Sequence, residues 1–163
     1  QHASSATEQD SLIFYTDTDL TSKETGAGRI DVQTIHRIRD QGLSSSSLTD
    51  AEIGRILGCV ATDPKAWLVP VAPSPNEFID TVGTHSTIQV HGMAQVAWLE
   101  CDDQAFVFVN GAEQSIDKKG LTLVKTLCAD RQLSLRPDTV ERHRELILWM
   151  SGEGLFDGIH TGK

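Results

Sequence analysis

The hydrophobic pattern is clearest between Val96 and Gly111. It predicts two short strands, Val96 to Glu100 and Ala105 to Val109, joined by a polar turn at Cys101 to Gln104 and closed by the Asn110-Gly111 turn signal. A helical pattern comes directly after, with Leu121, Val124, Leu127 and Cys128 spaced three and four residues apart on one face. A second helix is expected over Asp138 to Met150 and, after Ser151-Gly-Glu-Gly154, an apolar strand over Leu155 to Ile159. Strand, strand, helix, helix, strand is the plan of a winged-helix domain.

Upstream, residues 1–11 are small and polar and read as a disordered lead-in, and Leu12-Ile-Phe-Tyr15 is the first apolar cluster. Ile30 to Arg39 is a helix candidate with Val32, Ile35 and Ile38 on one side. After the break at Gly42-Leu-Ser-Ser-Ser-Ser47, a second helix has a strong start signal. Thr49 caps the free amide at Glu52, the Glu52 side chain reaches back, and Leu48 is placed to staple onto Ile53. Ile53, Ile56, Leu57 and Val60 then form a stripe that one short helix cannot bury alone. A second copy across a two-fold axis would bury it, making Ile35, Ile38, Ile53, Ile56, Leu57 and Val60 a dimer interface. Packing within one chain is the equal alternative, and an N-terminal part of a longer polypeptide is another candidate partner.

Asp63 to Pro75 holds four of the five prolines and reads as an extended connector. Ser74, Pro75 and Glu77 then predict a short helix through Phe78 and Ile79. The expected class is α+β: a disordered lead-in (1–11), a helical dimerisation region with its proline-rich connector (12–72), and a winged-helix domain (73–163).

Composition narrows the partners. The net charge is −9, from 23 acidic against 14 basic residues, a field that repels phosphate backbones. No apolar run approaches the roughly 20 residues that span a bilayer, which argues against a membrane protein. Three cysteines, Cys59, Cys101 and Cys128, are an odd number without short spacings; they suggest neither a disulfide framework nor a zinc knuckle, and fit a reducing cytoplasm. Gln1 in place of Met, with no basic-then-apolar leader behind it, suggests a piece of something longer.

The motifs that resemble active-site chemistry have simpler readings. Thr16-Asp-Thr-Asp-Leu20 is a turn sequence, and Gly26-Ala-Gly28 is too short for a phosphate-binding fingerprint. His143-Arg-Glu145 matches the His-x-Glu pair of ferrous sites, yet on a continuous helix these residues lie about 200° apart. His85 and His91 flank a strand candidate, Thr87 to Val90, without a nearby third ligand. Asp102 and Asp103 occupy the hairpin turn. No catalytic, cofactor-binding or metal-binding residue is assigned. As a nucleic-acid reader, the Asp138 to Met150 helix would offer Arg142 and Arg144, but Asp138, Glu141 and Glu145 compensate them. Lys118, Lys119 and Lys125 add a modest basic patch on the preceding helix.

Several segments together resemble a family. Tyr15-Thr-Asp-Thr-Asp-Leu20, Gly28-Arg-Ile30 leading into a helix, the Ala61-Thr-Asp-Pro-Lys65 exit, and Leu99 through Asn110-Gly111 with the leucine-rich helix behind it are similar to the C-terminal half of the bacterial ribosomal oxygenases. Those are JmjC or cupin-type, iron(II)- and 2-oxoglutarate-dependent enzymes that hydroxylate an arginine of a large-subunit ribosomal protein. The resemblance runs from about Leu12 to Ile159 and rests on packing and turn residues. It implies a homodimer and, for the parent enzyme, a ribosomal protein substrate. Iron(II) and 2-oxoglutarate would belong to a catalytic domain preceding Gln1, because the His-x-Asp and distant His of the iron triad have no counterpart here. A stand-alone winged-helix regulator of nucleic acid is the alternative function, and an interaction module unconnected with any enzyme is a third.

Overall fold

The computed structural model describes residues 26–42, 47–64 and 86–161. The expectations for residues 1–20, for His85, for most of the connector and for the helix through Phe78 and Ile79 lie outside them. The described elements are helices α1 (Val32–Gly42) and α2 (Asp50–Thr62), then strands β1 (Ser86–Val90), β2 (Val96–Cys101), β3 (Gln104–Val109) and β4 (Ala112–Ile116). Helix α3 (Lys118–Asp130), strand β5 (Gln132–Leu135), helices α4 (Pro137–Arg142) and α5 (Arg144–Gly152) and strand β6 (Phe156–Thr161) complete them. Two antiparallel sheets result, ordered β2-β3-β4 and β5-β1-β6.

The expected hairpin forms with Val96 opposite Val109 and Cys101 opposite Gln104. Asp102 takes the left-handed conformation its turn requires (φ 54°), as do Asn110 and Gly111 at the next turn (φ 47° and 86°). Beyond Gly111 the chain departs from the expectation. The polar stretch Ala112–Ile116 is strand β4 and pairs with β3, so α3 begins only at Lys118, where Asp117 caps the Gly120 amide at 2.7 Å. The helix expected over Asp138 to Met150 is two helices, broken at His143 (φ −118°, ψ 22°). β5 has little signature in the sequence because Gln132–Leu135 is four residues long and shows only one full alternation.

The wing also differs. The sheet completing the winged-helix unit of α3, α4 and α5 is β5-β1-β6, with β1 paired to β5 on one side and β6 on the other. The β2–β3 hairpin belongs to the other sheet, which has a hydrophobic core on each face. Trp98, Ala105, Val107 and Val109 join the core of α3, α5 and the small sheet, in which Leu127, Ile147 and Met150 are fully buried. Ala97, Leu99, Cys101, Phe106 and Phe108 join a second core with Ile35 of α1 and Ile53 of α2. Helices from before residue 72 and a hairpin from after it therefore share one core.

Helix α2 starts as its sequence dictates. The Thr49 hydroxyl accepts from the Glu52 amide at 3.2 Å, and the Thr49 amide donates back to the Glu52 carboxylate at 2.7 Å. Those backbone and hydroxyl hydrogen bonds hold the Glu52 carboxyl below the usual carboxylate range. The helix then approaches the sheet closely because it shows glycine there. A Cβ on Gly54 would lie 2.6 Å from Leu99 Cδ2 and 2.8 Å from Ile35 Cδ1, and one on Gly58 would enter the Phe108 ring.

Gly58→Ala sets an overpacking cost of about 1–3 kcal/mol against a helix-propensity gain of about 1 kcal/mol. We expect a net loss of up to about 2 kcal/mol in urea unfolding. At Gly152 an added Cβ meets nothing within 4 Å, so Gly152→Ala should be neutral or gain up to about 1 kcal/mol. Equal effects at the two sites would contradict the close approach of α2 to Phe108.

Candidate interaction surfaces

The six residues expected at a dimer interface divide into three groups. Ile35 and Ile53 are buried (0% and 2% exposed) under the chain's own β2–β3–β4 sheet and present nothing to a second copy. Ile38 and Leu57 are half-buried against the same core. Ile56 and Val60 are exposed, at 53% and 69%. The stripe wraps too far around α2 for one sheet to cover, leaving this pair, one turn apart, on the outer face.

On its other flank α2 is tied to β4 through charge. Arg55 Nε donates to both Glu113 carboxylate oxygens at 3.1 Å, and its Nη2 contacts Oε1 as well. The guanidinium also lies 5.2 Å from the centre of the Phe106 ring. These hydrogen bonds and the positive charge hold the Glu113 carboxyl below the ordinary range. Burial, with the Glu113 charge beside it, pushes the Cys59 thiol up. A parallel tie joins α1 to α2, where Arg39 Nε donates to Asp50 Oδ1 at 2.8 Å and His36 Nε2 sits 3.1 Å from Oδ2. Cys128 is deeply buried and its thiol is pushed up to about 12. No described cysteine has the lowered pKa of a nucleophile.

The third surface is a groove where β4 and the first turn of α3 meet the α4–α5 corner. One cavity of about 550 Å³ is lined by Gln114, Asp117, Lys119 and residues 141–146. A second, of about 310 Å³, runs along α3 over Leu123 and Leu133. Lys119, Arg142 and His143 line both. The break at His143 makes the corner, so His143 and Glu145 are not on one continuous helix. Among the described residues no three of His, Cys, Asp or Glu come together as a metal set, so no iron step is assigned to them. His91 is engaged elsewhere, with Nδ1 accepting from the Met93 amide at 3.2 Å and Nε2 3.3 Å from Asp157.

The basic residues considered for a duplex are placed differently. Lys125 is drawn away to Glu100 at 2.9 Å and over the Trp98 ring at 4.4 Å. In α5 only Arg144, Glu145 and Gly152 are exposed, because its other residues pack wholly or partly into the core. A recognition helix must show a face to the major groove, and phosphate contacts need uncompensated positive charge.

Three helices set on a small antiparallel sheet define a winged-helix protein. The chain belongs to the ROXA-like winged helix family, whose model matches residues 38–155. The match takes in α2 and the elements from β1 to α5, and it supports the winged-helix region of a ribosomal oxygenase-like protein. Comparisons with curated proteins and with solved structures gave no match. Among the described residues no helix is long and apolar enough to cross a membrane.

The Arg55–Glu113 pair gives a pH signature. The folded chain keeps Glu113 ionised to lower pH than the unfolded chain does, so acidification protonates the unfolded chain first. The stabilisation is complete above the unfolded glutamate pKa of about 4.3 and is lost as pH falls through the lower folded value. Glu113→Gln should therefore unfold at lower urea than wild type at neutral pH, with the gap closing in acid. A gap that persists unchanged below that window would remove the pair as its cause.

Proposed function

We propose that this chain is the non-catalytic dimerisation and winged-helix region of an iron(II)- and 2-oxoglutarate-dependent oxygenase of the kind that hydroxylates an arginine of a large-subunit ribosomal protein. The observation that carries the reading is the family match across residues 38–155. The reaction belongs to a catalytic domain outside this sequence, and this chain contributes assembly and substrate capture. A net charge of −9 suits the second task, since an acidic surface draws a basic ribosomal protein by long-range steering where it would repel free nucleic acid. For assembly, Ile56 and Val60 are the exposed members of the apolar stripe and are the residues we assign to contact with a second copy.

Each task has its own test. The chain should bind a basic ribosomal protein with an affinity that falls roughly tenfold between about 50 and 200 mM salt, as screened charges require. Binding that is absent, or indifferent to salt, would remove the capture role. In sedimentation, wild type should run as a dimer and the Ile56→Asp, Val60→Asp double variant as a folded monomer. A wild-type chain of monomer mass would refute the assembly role. Charged replacements at Ile53 would be uninformative, because that side chain holds up the chain's own core.

A further inference from the structure

The groove at the α4–α5 corner has no part in the oxygenase reading and does not depend on it. The geometry points to a docking site for an extended peptide of a partner protein, one that carries a carboxylate next to an apolar side chain.

Two observations define that occupant. The first concerns charge. Lys119, Arg142 and Arg144 have no ion-pair partner among the described residues, whereas Arg39, Arg55 and Lys125 are all paired. In the half of the groove along α3, Lys119 and Arg142 stand at the rim and no acidic residue lines the wall. The floor there is Leu123 and Leu133, and the nearby Thr122 and Thr126 hydroxyls are spent on the Lys118 and Thr122 carbonyls at 3.0 and 3.1 Å. An apolar floor under two unpaired cations suits a hydrophobic side chain beside a carboxylate.

The second observation concerns the other half. β4 ends the β2-β3-β4 sheet, and its outer edge pairs with no other described strand. An edge strand offers alternate amides and carbonyls to an incoming backbone, the means by which extended peptides are bound on sheets. Asp117, Glu141 and Glu145 stand in the β4 half of the groove and would repel a phosphate backbone, while a peptide is free to place neutral residues there. Together these features favour a peptide over nucleic acid.

The probe is a short, end-capped, fluorescein-labelled peptide with one Ser-Glu-Leu step flanked by serine and glutamine, followed by anisotropy on the whole chain. Lysine-for-glutamate and glycine-for-leucine versions and a single-stranded RNA serve as comparisons. We expect saturable binding of the Ser-Glu-Leu peptide, at least about tenfold tighter than of either altered peptide. Lys119→Glu and Arg142→Glu should each weaken it by about tenfold or more. Both side chains are exposed, so far-UV circular dichroism should be unchanged. Amide chemical-shift changes should centre on residues 114–116, 119 and 142–143. The proposal is overturned if the peptide does not bind, if either charge reversal leaves binding intact, if the glycine version binds equally well, or if RNA binds through these residues in its place.

Discussion

The fold depends on one strand having no solvent side. Every residue from Ala105 to Val109 is buried, with Ala105, Val107 and Val109 turned to the winged-helix core and Phe106 and Phe108 turned to the α1–α2 core. A strand buried on both faces binds two layers through its own side chains, and neither layer is complete without it. Fully burying one Val or Phe contributes about 1.5–3 kcal/mol, so this strand counts for much of a stability that in most domains totals only about 5–15 kcal/mol. The winged helix and the helices ahead of it are therefore coupled through a wall they share.

The same wall sets what the surface can offer. Covering the lower face of the sheet takes up Ile35, Ile53 and, in part, Ile38 and Leu57, which leaves Ile56 and Val60 outside. Covering the upper face takes up nearly all of α5, while α4 keeps Asp138, Glu141 and Arg142 exposed beside Arg144 and Glu145 at the start of α5. The positive charge that might have formed a patch on α3 is divided. Lys125 is held against Trp98 and Glu100, and Lys119 stays at the corner with Arg142. The winged-helix frame thus persists while most of α5 and Lys125 are taken up by packing.

Much of this is legible in the sequence, for identifiable reasons. The Thr49–Glu52 capping box, the Asn110-Gly111 turn and the α3 apolar face are encoded within a few residues of each other, and all three form as their sequences dictate. The hairpin is equally plain, but its continuous Ala-Phe-Val-Phe-Val run also marks a strand covered on both faces, a signal that places α1 and α2 against it. β4 escapes notice because Ala112–Ile116 is largely polar, as befits an edge with half-buried side chains. The break at His143 escapes because the apolar period continues through it and neither proline nor glycine marks the spot. The groove is beyond reach for a different reason. Lys119, Gln114 and Arg142 come together only through the chain's path in space, and no spacing in the sequence announces that.

The β5-β1-β6 sheet also fixes an order of events. β1 is the central strand, but it is made first, and its two partners lie about forty and seventy residues further on. Contacts this distant in sequence form late, after the local helices and hairpin have had time to assemble. On a growing chain the β2–β3–β4 wall can stand beside α2 while β1 still has an unpaired flank, and that flank is closed only by β6, made about seventy residues later. Until then β1 is the strand most open to pairing with the wrong neighbour, and a chain cut short before Phe156 would leave it so permanently.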